Sequence, residues 1–329
     1  MGIIEHPVER RARPADRAAH WVALASRVGA ELPTHNPAAQ RLDHELGDKI
    51  SLLKDAGLVT VMAPAQQGGG DQQWPIAYQV VREIASADEH IAHLLAQHFL
   101  WSWLVQRAAT SEQADAIQTT ATRNRWFFAG TLPSPAHELR ARDDSDYLVF
   151  NGRQKFTTGS GASDVTVLDG RLDGTTLRPL AVVPTRHPGL TFHTDADDHE
   201  ENRTTPADQR TIRNNGVCIA EVRVPDADVL GLSPTTQEPF VSDLLRERVA
   251  QLLLTNVAIG VIRGGLRAAQ LSRRARPGQG HEDRALAARL RTTETLADRL
   301  ATIAFTKETP TVPLSRQAEP ARHLRAVRS

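Results

Sequence analysis

The chain has 329 residues, which is long enough for two or three domains that each bury a core. Lysine and arginine together number 39, as do aspartate and glutamate, so no net charge favours nucleic acid or an acidic membrane as a partner. The single cysteine, Cys218, excludes an internal disulfide and a cysteine-rich metal site. There is no His-Glu-x-x-His motif, and no metal is predicted.

The N-terminal residues are charged and contain no apolar core of the kind that a secretory signal needs. The best candidate for a membrane span, residues 249–262, is short and is interrupted by Gln251, Thr255 and Asn256. We therefore predict a cytoplasmic protein that does not cross a membrane.

Residues 1–125 predict an N-terminal helical domain. Four apolar residues recur at helical spacing, and a glycine suited to a helix C-terminus follows them: Leu42, Leu46, Ile50, Leu53 and Gly57. Further helices are predicted over residues 74–87 and 91–109.

Residues 126–238 predict a middle antiparallel β-domain, and residues 239–329 predict a C-terminal helical domain. Short apolar runs between turn residues predict strands over 126–129, 147–150, 165–168, 180–183 and 217–224. Helices followed by strands and then by helices, without alternation, indicate an α+β chain rather than a doubly wound sheet.

The C-terminal segment predicts a truncated helical bundle. Residues 249–262 are apolar on nearly every face, as in a helix buried in a bundle, and three glycines permit close helix approach: Gly260, Gly264 and Gly265. After Pro277 one helix is predicted over 284–304, and a polar tail begins at about residue 309. A bundle of so few helices exposes an apolar face, which an oligomer can cover.

Residues 151–164 combine a turn signal with a run of polar residues. Asn151-Gly152 predicts a type I′ hairpin turn, because both central residues of that turn need positive φ. The hydroxyls, glycines and Lys155 that follow can present donors to a polar, planar or anionic group. The plainer interpretation is a solvated hairpin loop.

Four segments, in this order over about residues 40–280, resemble the acyl-CoA dehydrogenase superfamily. They are Leu-Lys-Asp-Ala-Gly-Leu with its following Pro and Gly-Gly-Gly (53–70), Asn-Gly-Arg-Gln-Lys-Phe-Thr-Thr-Gly-Ser (151–160), Gln-Arg-Thr through Val-Leu-Gly (209–231), and Arg-Glu-Arg through Gly (246–260). Three further segments resemble the flavin-dependent monooxygenase branch typified by dibenzothiophene monooxygenase: 90–101, 129–134 and 274–277.

The resemblance implies an acyl-CoA dehydrogenase-like fold and a flavin cofactor, FMN or FAD. The monooxygenase branch implies reduced flavin (FMNH2) from a separate flavin reductase, O2, a small apolar or organosulfur substrate, and a homo-oligomer of two or four subunits. Such a protein would be an enzyme, a flavin-dependent oxidoreductase.

The resemblance also implies site residues. It assigns catalytic roles to His98, as an acid or base, and to Thr158, as a donor near the flavin ring. Cofactor-binding roles are implied for Thr131, Ser134, Thr157, Thr158, Arg210 and Arg276. The plain alternatives are a histidine bonded to a neighbouring helix, a threonine bonded to local backbone, and arginines in surface ion pairs.

Two other functions stay open at this point. Glu247, beside Arg248, resembles the catalytic base that some acyl-CoA dehydrogenases carry, which would make the protein an FAD-dependent dehydrogenase of an acyl-CoA. The shortened C-terminal bundle instead suggests a catalytically impaired relative. The sequence does not identify the substrate.

Overall fold

The structure, a computed structural model, describes residues 14–32, 42–130, 139–156, 160–193, 215–232, 243–273 and 280–306. The helices, strands and contacts of the described chain lie within these ranges.

The N-terminal part is helical, as predicted. Its helices are α1 (Pro14–Glu31), α2 (Leu42–Asp55), α3 (Trp74–Ala85), α4 (Glu89–Ala108) and α5 (Ser111–Asn124). The Asp88 side chain caps α4 by accepting a hydrogen bond from the backbone N–H of Ile91, and Thr110 and Gln113 form a capping box at the start of α5. Gly57, at φ 77°, follows α2 in the left-handed conformation predicted for a glycine at this position.

The middle part consists of two β-sheets. Its strands are β1 (Phe128–Gly130), β2 (Arg140–Asp144), β3 (Tyr147–Phe156), β4 (Val165–Asp169), β5 (Arg171–Leu172), β6 (Leu180–Pro184), β7 (Leu190–His193) and β8 (Asn215–Pro225). One sheet has the order β1-β4-β6 and the other β5-β2-β3-β8-β7. Most pairs are antiparallel, as predicted, but β1 pairs with β4 and β2 with β5 in parallel. Between β1 and β4 the chain forms the β2–β3 hairpin of the second sheet. It then re-enters the first sheet as β4, which runs in the same direction as β1.

The prediction of a hairpin turn at Asn151-Gly152 is wrong. Both residues lie inside β3, where the register with β8 shifts between Phe150 and Gly152, and Gly152 has φ 150°. The Asn151 side chain accepts from the Glu221 backbone N–H (2.8 Å) and donates to the Glu221 carboxylate (2.8 Å). The unusual backbone freedom of glycine therefore serves a β-bulge instead of a turn.

The C-terminal part consists of α6 (Asp243–Arg273) and α7 (Gly280–Thr306), in place of the predicted helices over 249–262 and 284–304. A buried arginine of α3, Arg82, ties both helices to the N-terminal part. It donates to Asn256 (2.6 and 2.9 Å) and to Asp298 (2.6 Å). The predicted polar tail lies outside the described residues.

Together these parts have the predicted α+β architecture, and they share one of the two apolar clusters, while the other lies within the β-domain. The first sheet packs on α4, so apolar residues from both parts join one cluster, among them Leu104, Phe127, Val167, Leu180 and Val257. Element type changes near the predicted boundaries, since α5 ends at Asn124 and α6 begins at Asp243. The division into domains at 125/126 and 238/239 stays a prediction.

Large apolar side chains are exposed along α6 and α7. Six of them are 46–57% exposed: Leu254, Ile262, Leu286, Leu296, Leu300 and Ile303. The residues that the structure describes therefore leave an unpartnered apolar face on this helical pair, the face expected from a truncated bundle.

One segment of α6, Leu245–Gln270, has the length and hydropathy (1.5) of a membrane span, although a third of its most apolar window (33%) is buried. Core helices of globular proteins pass the same test. Because α6 packs against α3, α4 and α7 and carries the buried Arg82–Asn256 contact, we interpret it as a bundle helix.

Two glycines of α6 provide a matched test of the helix packing. A Cβ at Gly260 would lie 2.4 Å from the Arg82 carbonyl oxygen and 2.5 Å from the Ala85 Cβ, whereas a Cβ at Gly265 meets nothing within 4 Å. We expect Gly260→Ala to lower the free energy of unfolding by about 2 kcal/mol through overpacking. Gly265→Ala should raise it by up to about 1 kcal/mol through helix propensity. Equal effects of the two changes in urea denaturation would contradict this account.

Candidate functional site

Three parts of the fold meet around the side chain of Trp101, on α4. The Arg246 guanidinium, from the first turn of α6, lies over the indole ring at 5.5 Å from its centroid. On another side lies Gly130, the last residue of β1, where an added Cβ would be 2.2 Å from indole Cε2. We call this place, defined by Trp101, Gly130 and Arg246, the junction.

A buried carboxylate holds Arg246 in place. Asp169, at the end of β4, is 1% exposed and accepts from Arg246 Nη1 (2.8 Å) and from Arg178 Nε (3.0 Å). Bonds between ionised partners of this kind are stronger than neutral ones, and loss of either partner would leave a buried charge uncompensated. The ion pair therefore fixes the start of α6 against the β-domain.

Trp101 itself has no exposed surface, and the part of the chain that the structure describes offers its Nε1–H no acceptor. A second buried polar group without a partner in that part is the side-chain amide of Gln154, on β3. Gly130 and Gln154 lie shortly before residues predicted to contact flavin, Thr131 and Thr157 respectively. Buried polar groups are rarely left unpaired. We therefore expect the Trp101 N–H and the Gln154 amide to bond to a group outside the described residues or to a ligand.

His98 lies on a different stripe of α4, and both of its ring nitrogens bond to backbone. Nδ1 accepts from the Phe128 N–H (3.0 Å), so the proton must be on Nε2, which donates to the Val59 carbonyl (2.8 Å). The side chain is 2% exposed, and burial lowers its pKa to about 4. This geometry is that of a neutral histidine linking α4, β1 and the 58–60 turn, and it favours the structural alternative over the catalytic role, which stays a prediction.

A small open cavity of ≈ 50 Å³ borders the same stripe. Its walls come from the turn at 58–63, from α4, α5 and β1, and include His98, Trp103, Thr122, Trp126 and Phe128. The volume suits a few water molecules rather than a flavin ring. We therefore do not assign the cofactor to this cavity.

On the other stripe of α4, Trp101 follows His93 and Gln97 at intervals of one turn. Both preceding residues are only partly buried, although most of α4 is buried. Burial lowers the pKa of His93, with a smaller contribution from neighbouring His90, so the imidazole is held neutral. His93, Gln97 and Trp101 thus form a polar stripe that leads to the junction.

All six predicted cofactor residues lie outside the described residues: Thr131, Ser134, Thr157, Thr158, Arg210 and Arg276. Their roles stay predictions. Glu247 is described, on the exposed side of α6, where it accepts from Gln251 (3.1 Å). A solvent-facing carboxylate does not lie in a closed acyl pocket, although its assignment as a base also stays a prediction.

Sequence reasoning did not single out Trp101, Arg246, Asp169 or Gln154 as site residues. No short motif could have found the ion pair, because Arg246 and Asp169 are 77 positions apart. The glycine after Phe128-Ala129 and the spacing of His93, Gln97 and Trp101 were the available signals.

Comparison with known proteins supports the resemblance. No family model matches the chain. A dibenzothiophene monooxygenase from Rhodococcus erythropolis is 27% identical over 280 residues, which cover 81% of this chain and 64% of the relative. The chain thus spans less than two thirds of the length of that relative.

Solved structures show the fold. The FMN-bound dibenzothiophene monooxygenase TdsC from Paenibacillus sp. A11-2 superposes with a TM-score of 0.71 at 21% identity, over 87% of this chain and 76% of that one. Butyryl-CoA dehydrogenase from Megasphaera elsdenii gives 0.66 at 17% identity, over 90% and 79%. The chain has the acyl-CoA dehydrogenase-like fold, and its curated relatives place it near the dibenzothiophene monooxygenases.

The described residues of the junction leave no open space for a flavin ring. Trp101 has no exposed surface, because Gly130 packs against its ring on one side and Arg246 lies over it on the other. The residues that the resemblance assigns to the flavin lie outside the described residues, so the cofactor site stays a prediction.

The pKa of His98 gives a testable pH dependence. Its ordinary value is 6.5 and its folded value about 4, a difference equivalent to about 3 kcal/mol. Between these values the unfolded chain binds the proton and the folded chain does not, so stability is full above pH 6.5 and falls as the pH drops to 4. We expect the free energy of unfolding of His98→Gln to fall less than that of the native protein over this range. If the free energy of unfolding, measured in urea titrations, fell equally with pH for the native protein and for His98→Gln, the assignment of His98 as a neutral, bonded histidine would be contradicted.

Proposed function

We propose that the protein is a flavin-dependent monooxygenase that uses FMNH2 and O2 to oxygenate a small apolar or organosulfur compound. The observation that carries this proposal is the 27% identity to a dibenzothiophene monooxygenase over 81% of this chain. The fold by itself supports only the wider superfamily, since dehydrogenases share it.

When bound, the flavin would supply the O2 chemistry. The protein would bind and orient the flavin and the substrate, and it would exclude water from them. Hydroxyls at Thr131, Ser134, Thr157 and Thr158 would donate to the ring and its side chain, as the resemblance implies. Arg210 and Arg276 would hold the phosphate. The neutral imidazole of His93, on the stripe that leads to the junction, can accept a proton near the substrate.

The partners follow from this chemistry. A separate flavin reductase would supply FMNH2, and the substrate would be a small molecule. The exposed apolar face of α6 and α7 supports a homo-oligomer of two or four subunits. A cytoplasmic location is part of the same proposal.

The dehydrogenase alternative has weaker support. It needs a carboxylate buried beside an acyl chain, whereas Glu247 is exposed in this chain. A catalytically impaired relative is the remaining alternative, and the apolar face of the short C-terminal helical pair is the observation that favours it.

Flavin binding and O2 uptake test the proposal. We expect the purified protein, mixed with FMN and then freed of unbound FMN, to keep flavin absorbance at about 450 nm. With a flavin reductase present, dibenzothiophene should stimulate O2 uptake and yield an oxygenated product. Bleaching of bound FAD by an acyl-CoA, without an oxygenated product, would favour the dehydrogenase. No flavin binding at all would favour the impaired relative.

A matched pair of threonines tests the assigned hydroxyl. Thr158→Val keeps the shape of the side chain and removes the donor, so we expect the product rate to fall about 10²-fold or more. Thr120→Val removes an exposed hydroxyl that bonds only to the Ala116 carbonyl on α5, and it should leave the rate unchanged. Equal rates for both variants would remove Thr158 from the site.

The exposed face of α7 tests the oligomer. We expect light scattering to show a dimer or tetramer, because apolar side chains that are 48–56% exposed need a cover. The double change Leu296→Glu and Leu300→Glu should shift the protein to monomer with unchanged helix content. Thr295→Glu, at an exposed position of the same helix that is not at i+3 or i+4 spacing from either leucine, should not. A monomeric native protein would contradict the prediction.

A further inference from the structure

An ion pair joins the C-terminal end of α2 to the start of β4. The ammonium group of Lys54, in the last turn of α2, donates to both carboxylate oxygens of Asp164, at 2.9 Å each. The two side chains are 23% and 33% exposed. Because the charges are partly withdrawn from water, their attraction is stronger than that of a fully exposed pair.

Asp164 is also bonded firmly to the β-domain. Its carboxylate accepts from the Phe127 N–H (2.6 Å), and its own N–H donates to the Phe127 carbonyl (3.0 Å). Its carbonyl accepts from the N–H of Thr185, which follows β6 (3.0 Å). Asp164 is therefore fixed to the residues that flank β1 and β6, and Lys54 attaches this group to α2.

The other end of the pair is fixed by backbone contacts as well. The guanidinium of Arg125 donates to the carbonyls of Lys54 (3.2 Å) and Asp55 (3.5 Å), at the C-terminus of α2. A cation suits these carbonyls, which have no partner within the helix. Since Phe127 follows Arg125 by two residues, both ends of the ion pair are bonded to the same short link between α5 and β1.

The pair lies beside the segment to which the resemblance assigns flavin contacts. Before Asp164 the chain forms a short 3₁₀ turn, Ser160–Ala162, which packs on α2. Only residues 157–159 separate this turn from the end of β3, and Thr157 and Thr158 are two of the three. A displacement of the turn is therefore passed along the chain to both threonines.

We propose that the Lys54–Asp164 ion pair positions the segment between β3 and β4 for flavin binding. The inference rests on the proposed function and adds to it two positioning residues, which act through this segment and not by contact with the cofactor. If only a fraction of the molecules has the binding conformation, the apparent Kd rises by the inverse of that fraction. The ion pair keeps the fraction high by holding the 160–162 turn against α2.

Removal of the charge on residue 54 tests the proposal. We expect Lys54→Met, which keeps an unbranched chain, to raise the Kd of FMN about two- to fivefold in a fluorescence titration, because loss of a partly exposed pair lowers the competent fraction by such a factor. Lys54→Arg restores the charge and should bind FMN as the native protein does. The control Arg223→Met breaks another partly exposed pair, with Asp144 (2.7 Å) on the second sheet, and should leave the Kd unchanged.

Salt separates this role from a role in packing alone. At about 1 M salt, charges are screened beyond about 3 Å. The ratio between the Kd of Lys54→Met and that of the native protein should therefore fall towards one as salt is added. A ratio that salt does not change would mean that Lys54 acts through its alkyl chain, and it would overturn the proposal.

A double-mutant cycle tests the pairing itself. Asp164→Asn removes the charge but keeps an oxygen that can accept from the Phe127 N–H. Lys54→Met combined with Asp164→Asn should raise the Kd no further than either change alone, and additive effects would overturn the proposal. If the native protein binds FMN and Lys54→Met has the native Kd, the proposal is wrong and the proposed function stands. If the native protein binds no FMN, both are wrong.

Discussion

The arrangement depends on the buried carboxylate of Asp169. It lies at the end of β4, is 1% exposed, and bonds to Arg246 on α6 and to Arg178. Removing a charge from water is costly, and two guanidinium partners compensate that cost only when they are held in place. The consequence is a fixed start of α6 against the first sheet, and a fixed face of Trp101 between them.

The two stripes of α4 have different properties. One stripe carries His98, whose two nitrogens are used by the backbone of Val59 and Phe128. The other carries His93, Gln97 and Trp101, which are partly buried or lack a described partner. A residue that satisfies all its bonds within the protein links elements, whereas partly exposed polar groups such as those of His93 and Gln97 can reach a ligand.

Much of the fold could be predicted from the sequence, because helix and strand periodicities are local. The helix predicted over 91–109 corresponds to α4, and the strand at 217–224 to β8. The Asn151-Gly152 turn failed because the same backbone freedom serves a bulge whose partner, Glu221, is 70 positions away. The prediction that Gly265 permits a close helix contact was wrong, because helical spacing does not show which face of a helix meets a neighbour.

The site was less predictable for the same reason. The motif that resembles the monooxygenase helix selected His98, and whether its nitrogens are free depends on Val59 and Phe128, which are distant in sequence. The pairing of Arg246 with Asp169 joins residues 77 positions apart and has no local signature. The resemblance correctly predicted the fold and the similarity of the chain to the monooxygenases.

The central proposal is that FMN binds beside the residues that the resemblance assigns to it, Thr131 and Thr158 among them, and not at the cavity beside His98. Hydrogen exchange measured by mass spectrometry, with and without FMN, tests this directly. The account predicts slower exchange in peptides that carry Thr131, Thr158 and the first turns of α6. Slower exchange confined to α5 and residues 58–63, with those peptides unchanged, would contradict it.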